Sequence, residues 1–207
     1  HSLAALEANR VAIAEAGGLE PLVGIFDSGS DVAIKQAAVT QAAGALSTLI
    51  KDNPDNQNDV SSFLVSMLQN GSTEAQEHVT SLLQDLTTDP EMRGPIAKHG
   101  GIPQLVRQLK EASFATQAQA AKALAEIALK SAMLRVQVTQ QLVGLLGSED
   151  EEVRQRAGVA LRDMADKGGD ESQKMVAMAG GVAPLVALLK DGLSDGRVEA
   201  QEYALWS

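Results

Sequence analysis

The chain has 207 residues, 44% apolar and 21% charged, a balance that suits one or two compact domains and excludes a disordered chain. With 17 Lys/Arg against 27 Asp/Glu the net charge is −10, the wrong sign for general nucleic-acid binding, and the lack of Cys excludes disulfides, thiolate metal sites and a cysteine nucleophile. No apolar run reaches the roughly 20 residues that span a bilayer, and aromatics are only 2%, so Ala, Leu, Val and Ile must fill the core, which favours close-packed helices.

The charge is uneven: residues 1–103 carry 5 bases against 13 acids, and residues 104–207 carry 12 against 14. A period organises the rest. Leu22-Val23, Leu64-Val65, Leu105-Val106, Leu142-Val143 and Leu185-Val186 recur at spacings of 42, 41, 37 and 43 residues. Three copies add a Gly pair before a Pro: Gly17-Gly18 with Pro21, Gly100-Gly101 with Pro103, and Gly180-Gly181 with Pro184. A Gly can take φ > 0 and end a helix, and a Pro near the next first turn loses no hydrogen bond.

In chain order, residues 1–8 read as the tail of a preceding repeat, with 2–8 as the end of its long helix. The first repeat, 9–51, predicts a short helix at 10–15, a medium one around Leu22, Val23, Ile25 and Phe26, a stop at Asp27-Ser28-Gly29-Ser30, and a long Ala-rich helix at about 31–51. In the second repeat, 52–89, the polar stretch 51–58 replaces the short helix and reads as loop or one turn. The third, 90–130, predicts helices at 91–98, 102–111 and 115–130. The fourth, 131–167, shortens its first helix to about 132–135, before 138–146 and 149–166. The fifth, 168–207, predicts 171–178, 183–190 and a helix opening near Asp195 that Ser207 interrupts, as if the chain were cut from a longer array. No segment shows the period-two alternation of a strand. One such unit cannot bury its own apolar face, so the units must stack around a shared core.

The strings Asn9–Val23 and Gly180–Leu189, and the closing Ala200–Ser207, resemble armadillo repeats, and the fourth repeat, with Glu149–Ala157, is similar to the related HEAT type. The resemblance spans essentially the whole chain, most strongly in repeats one, three and five. It implies an all-α, right-handed α-solenoid of about five three-helix repeats, the second and fourth degenerate, whose third helices line a concave groove for a partner's segment. Relatives of importin-α and β-catenin type carry an Asn that grips the peptide backbone and a Trp that walls the side-chain pockets. Here the Asn position holds Thr48, Asp85, Glu126, Asp163 and Ser207, and the Trp position holds Gly44, Ser81, Lys122, Val159 and Tyr203. Neither ladder is present.

Helical spacing instead places His78, Ser81 and Asp85 on one face, then Gln119, Lys122 and Glu126, then Arg156, Val159 and Asp163. With Thr48 and Tyr203, these are the candidate partner-binding residues. Three acids near helix C-termini stand against the macrodipole, which favours a role in meeting Lys or Arg of a partner. The alternative is solvated surface, or pairing with bases such as Lys122 and Arg162. His1, His78 and His99 are scattered and fit no metal-ligand spacing, His99 occupying a helix-end turn. Asp150-Glu151-Glu152 reads as a helix start, and Met164, Met175 and Met178 read as core. The expectation is a non-enzymatic, intracellular, cytoplasmic scaffold without cofactor or metal. It would bind a basic or amphipathic protein segment, extended or helical, with no nucleic acid and no membrane insertion. Rival readings are a structural spacer or oligomerisation module, or a HEAT-like solenoid enzyme such as a chromophore lyase or a base-excising glycosylase.

Overall fold

The computed structural model describes residues 7–27 and 32–194. Among them every regular element is helical: α1 (Glu7–Glu15), α2 (Leu19–Gly24) continued by a 3-10 turn (Ile25–Asp27), α3 (Val32–Leu49), α4 (Pro54–Asn70), α5 (Thr73–Leu86), α6 (Pro90–Lys98), α7 (Gly101–Glu111), α8 (Phe114–Ala128), α9 (Ala132–Leu145), α10 (Glu151–Met178) and α11 (Val182–Ser194). The chain divides into two units, His1–Gln104 and Leu105–Ser207, with the boundary inside α7.

The glycine pairs act as read from the sequence. Gly17, Gly100 and Gly180 have φ of +76°, +86° and +81°. The following amides then reach back: Gly18 N–H donates to the Ile13 carbonyl and Gly181 N–H to the Val176 carbonyl, each at 2.9 Å, which closes the end of a helix in a Schellman turn.

In the first unit α2 packs on α3 and α4, and α4 packs on α5 and α6. Phe26, Leu46, Leu64, Leu68, Val79, Leu83, Met92 and Ile96 are buried there. The stretch 51–58 departs from the expected loop. Asn53 caps α4 by accepting the Asn56 amide at 3.0 Å, Pro54 takes the first turn, and the helix runs unbroken from there to Asn70. Its polar residues turn inward: Asn56 Nδ2 donates to the carbonyls of Leu49 (2.8 Å) and Arg10 (3.2 Å), and Gln57 Nε2 to that of Ile50 (3.1 Å). These side chains satisfy the carbonyl end of α3, which explains why amides occupy a buried helix start. At the other end of the unit's first helix, residues 7 and 8 belong to α1 and not to a preceding helix; residues 1–6 lie outside the described residues.

In the second unit α8 packs against both α9 and α10, and α10 against α9 and α11. The fourth repeat has one helix, α9, where two were expected. Ser131 caps it by accepting the Leu134 amide, and 136–137, being Val-Gln, contain no helix breaker. α10 joins the fourth repeat's long helix to the fifth repeat's first, with a break at Gly169 (φ +58°, ψ −155°). Asp150 caps its start by accepting the amides of Glu152 and Val153, so the acid triplet is a helix start as expected. Met164 is core, but Met178 is 83% exposed, because it is the last residue of α10 and stands beyond the packed face. The helix expected near Asp195, with Tyr203 and Ser207, lies outside the described residues.

Candidate functional site

The third helices were expected to carry the site, and burial shows how each is placed. Phe114 and Ala115 open α8 at the surface; after them only Ala118, Gln119, Lys122 and Glu126 escape burial, because neighbours cover the remaining faces. That open stripe contains the complete row read from the sequence. On α5, Ala75, Val79, Thr80, Leu82, Leu83 and Leu86 are buried, while His78 and Ser81 are half-buried and Asp85 is exposed. On α10, Arg156, Val159 and Asp163 are each half-buried. Thr48 on α3 is half-buried, and its hydroxyl donates to the Gly44 carbonyl of its own helix at 2.8 Å. Tyr203 lies outside the described residues.

The acids differ in what surrounds them. Asp85 receives the neighbouring Gln84 amide at 3.4 Å and remains open to solvent. Glu126 is paired with Lys167 across the α8–α10 packing; its side chain is 13% exposed and that of Lys167 is 48%. Asp163 pairs with Arg162 at 3.2 Å. Of the two bases named as possible partners, Arg162 pairs with Asp163 and Lys122 pairs with no acid among the described residues, while Glu126 is met by Lys167, which the sequence reading did not name. Lys122 is exposed and forms no ion pair among the described residues.

Sequence reasoning missed the Glu126–Lys167 pair and one further contact. Arg156 on α10 lies over the ring of Phe114 on α8, with its guanidinium carbon 3.6 Å from the centroid, while Phe114 is 63% exposed. Phe114–Arg156 and Glu126–Lys167 are separated by 42 and 41 residues. Each is one repeat period, so α8 and α10 lie side by side in register. The period was visible in the sequence; pairing opposite residues one period apart would have found both contacts.

His78 Nδ1 is buried and has no hydrogen-bond partner among the described residues. His99 ends α6 and meets Asn58 Oδ1 at 3.0 Å, the structural role expected for it. No group of three His, Asp or Glu that could hold a metal ion occurs among the described residues. An open cleft of about 250 Å³ between α2 and α4 is floored by Val23, Phe63 and Met67 and edged by Glu20 and Asp27. Asp27 is committed to Ser72, the cap of α5. Among the described residues no helix is long and apolar enough to cross a membrane.

A fold of packed helical repeats, in which α1–α3 and α6–α8 are three-helix units with a glycine-closed first helix, is of the armadillo class. Residues 89–129 match the Armadillo/beta-catenin-like repeat family. That match covers one repeat, and the helical repeat fold of the chain as a whole is armadillo-like. The chain is 30% identical over 115 residues to the outer dynein arm-docking complex subunit 2 of Bos taurus, covering 54% of this chain and 11% of that relative, so it spans about a tenth of the relative's length. An engineered protein of known crystal structure is 31% identical with a TM-score of 0.57, covering 95% of this chain and 49% of the other. A designed armadillo repeat protein solved in complex with the peptide (KR)4 is 22% identical with a TM-score of 0.56, covering 98% and 88%.

Proposed function

We propose that this chain is a non-enzymatic protein-interaction scaffold whose third-helix faces hold an extended or helical segment of a partner protein. The observation that carries the reading is the α8 stripe. A helix buried on its other faces leaves one line of polar side chains less covered, Gln119, Lys122 and Glu126, of which Lys122 is exposed. The first unit leaves Asp85 open in the corresponding place, within a half of the chain that carries 13 acids against 5 bases. That surplus favours a basic or amphipathic segment there. Armadillo repeats generally serve protein interaction, and the name of the bovine relative, a docking-complex subunit, supports scaffolding over chemistry. An intracellular place of action is part of this proposal.

The test is fluorescence anisotropy with labelled (KR)4 on the full chain at low and at moderate salt. Binding should weaken as salt rises, and Asp85→Asn should weaken it about two- to fivefold, the range of an exposed ion pair. Indifference of the peptide to both salt and Asp85→Asn would overturn the basic-segment reading.

A further inference from the structure

The α8–α10 face of the second unit differs in charge from what its sequence suggests. Of its two row acids, Glu126 is occupied by Lys167 and Asp163 by Arg162. Glu152, one turn before Arg156, forms no ion pair among the described residues. Two cations are left over. Lys122 is exposed with no partner among the described residues. Arg156 makes its ring contact with Phe114, yet its Nε is buried without an acceptor and none of its nitrogens has a hydrogen bond among the described residues. An arginine used for structure normally commits its fork to carboxylates or carbonyls. Here the fork is held in place by a ring and left without an acceptor.

We propose that Arg156 and Lys122 form a receptor for two carboxylates of a partner segment, with Phe114 as the platform that fixes the guanidinium. This rests on the reading that third-helix faces are the binding surface. Lys122 follows Phe114 by eight residues, so the two cations stand about 12 Å apart along α8 at roughly 1.5 Å per residue. An extended polyproline-type segment places residues i and i+3 on one side about 9 Å apart, and the flexible Lys and Glu stems cover the difference. Acids three apart in such a segment are therefore the matching pattern. Arg156 would take one carboxylate through its planar fork, at little entropic cost because stacking already orders it, and Lys122 would take the other as a point charge. The ligand is an acidic peptide, so the second unit selects opposite chemistry from that offered by Asp85 in the first.

The test uses the full chain and three labelled peptides: a proline-rich peptide with Glu at i and i+3, the same peptide with Gln in both places, and (KR)4. The Glu peptide should bind and the Gln peptide should bind far more weakly. Arg156→Gln should weaken the Glu peptide about tenfold, as expected for a charge-assisted fork, and Lys122→Gln about two- to fivefold. Arg156→Lys should restore only part of the loss. Lys122 is exposed, so its variant keeps the fold even if Arg156→Gln does not, which circular dichroism would reveal. Equal binding of the Glu and Gln peptides, or Glu binding untouched by Lys122→Gln, would overturn the receptor. If (KR)4 still binds in an Asp85-dependent manner in that case, the receptor falls alone; if it does not, the third-helix reading falls with it.

Discussion

Replacing Asn56 by Ala tests whether a polar helix start organises the first unit. Asn56 is 3% exposed and donates to the carbonyls of Leu49 and Arg10. The Leu49 carbonyl lies at the end of α3, where no intrahelical donor follows, and loses its partner outright in the variant. A buried acceptor left without a donor costs about 1–3 kcal/mol, and the second bond adds about 0.5–1.5 kcal/mol. A loss of about 2–4 kcal/mol is expected, a shift on the order of 10 °C for a unit of this size. Urea and thermal unfolding followed by circular dichroism measure it, with Ser62→Ala as a control at a half-buried position of the same helix. If Asn56→Ala stays within about 0.5 kcal/mol of the parent, the range of neutral surface substitutions, the inward amide network does not hold α1, α3 and α4 together.

Other outcomes follow from the same geometry. Gly24 is helical, and a side-chain carbon added there would stand in open space, so Gly24→Ala should stabilise by up to about 1 kcal/mol, whereas Gly100→Ala, at φ +86°, should cost about 1 kcal/mol. Gly101→Ala should cost more than Gly100→Ala, because its Cβ would stand 2.5 Å from Ile96 Cγ2 and 2.7 Å from the Ile96 carbonyl; thermal unfolding of the three variants gives the order, and any other ranking refutes the turn assignment. A double-mutant cycle of Glu126→Gln and Lys167→Met should give a coupling below about 1 kcal/mol, since Lys167 is 48% exposed, and the coupling should shrink in about 1 M salt. Phe114→Ala should loosen Arg156 and weaken the two-Glu peptide by several-fold while unfolding changes little, because the ring is already 63% exposed.

Much of this protein was legible in its sequence because its signals are local. The helical class follows from apolar spacing and from the absence of alternation, and the glycine pairs mark where first helices end because positive φ belongs to that residue. The α8 stripe was legible too, since a helix's own 3.6-residue period decides which side chains share a face. Three things were decided only by packing. The polar stretch at 51–58 looked like a loop because it is polar where the repeat places an apolar short helix; tertiary structure supplied buried carbonyls for Asn56 and Gln57 to satisfy, and the helix followed. The 132–146 region looked divided because the repeat prescribes a turn there, yet nothing in Val136-Gln137 stops a capped helix. The character of the second unit's face was hidden longest. Counting charge gives acids at 126 and 163, but a neighbouring helix one period away supplies Lys167, Arg162 takes Asp163, and the cations left open are Lys122 and Arg156. Helical periodicity alone determines which residues a helix presents; whether a charge remains available depends on what the next helix places opposite it.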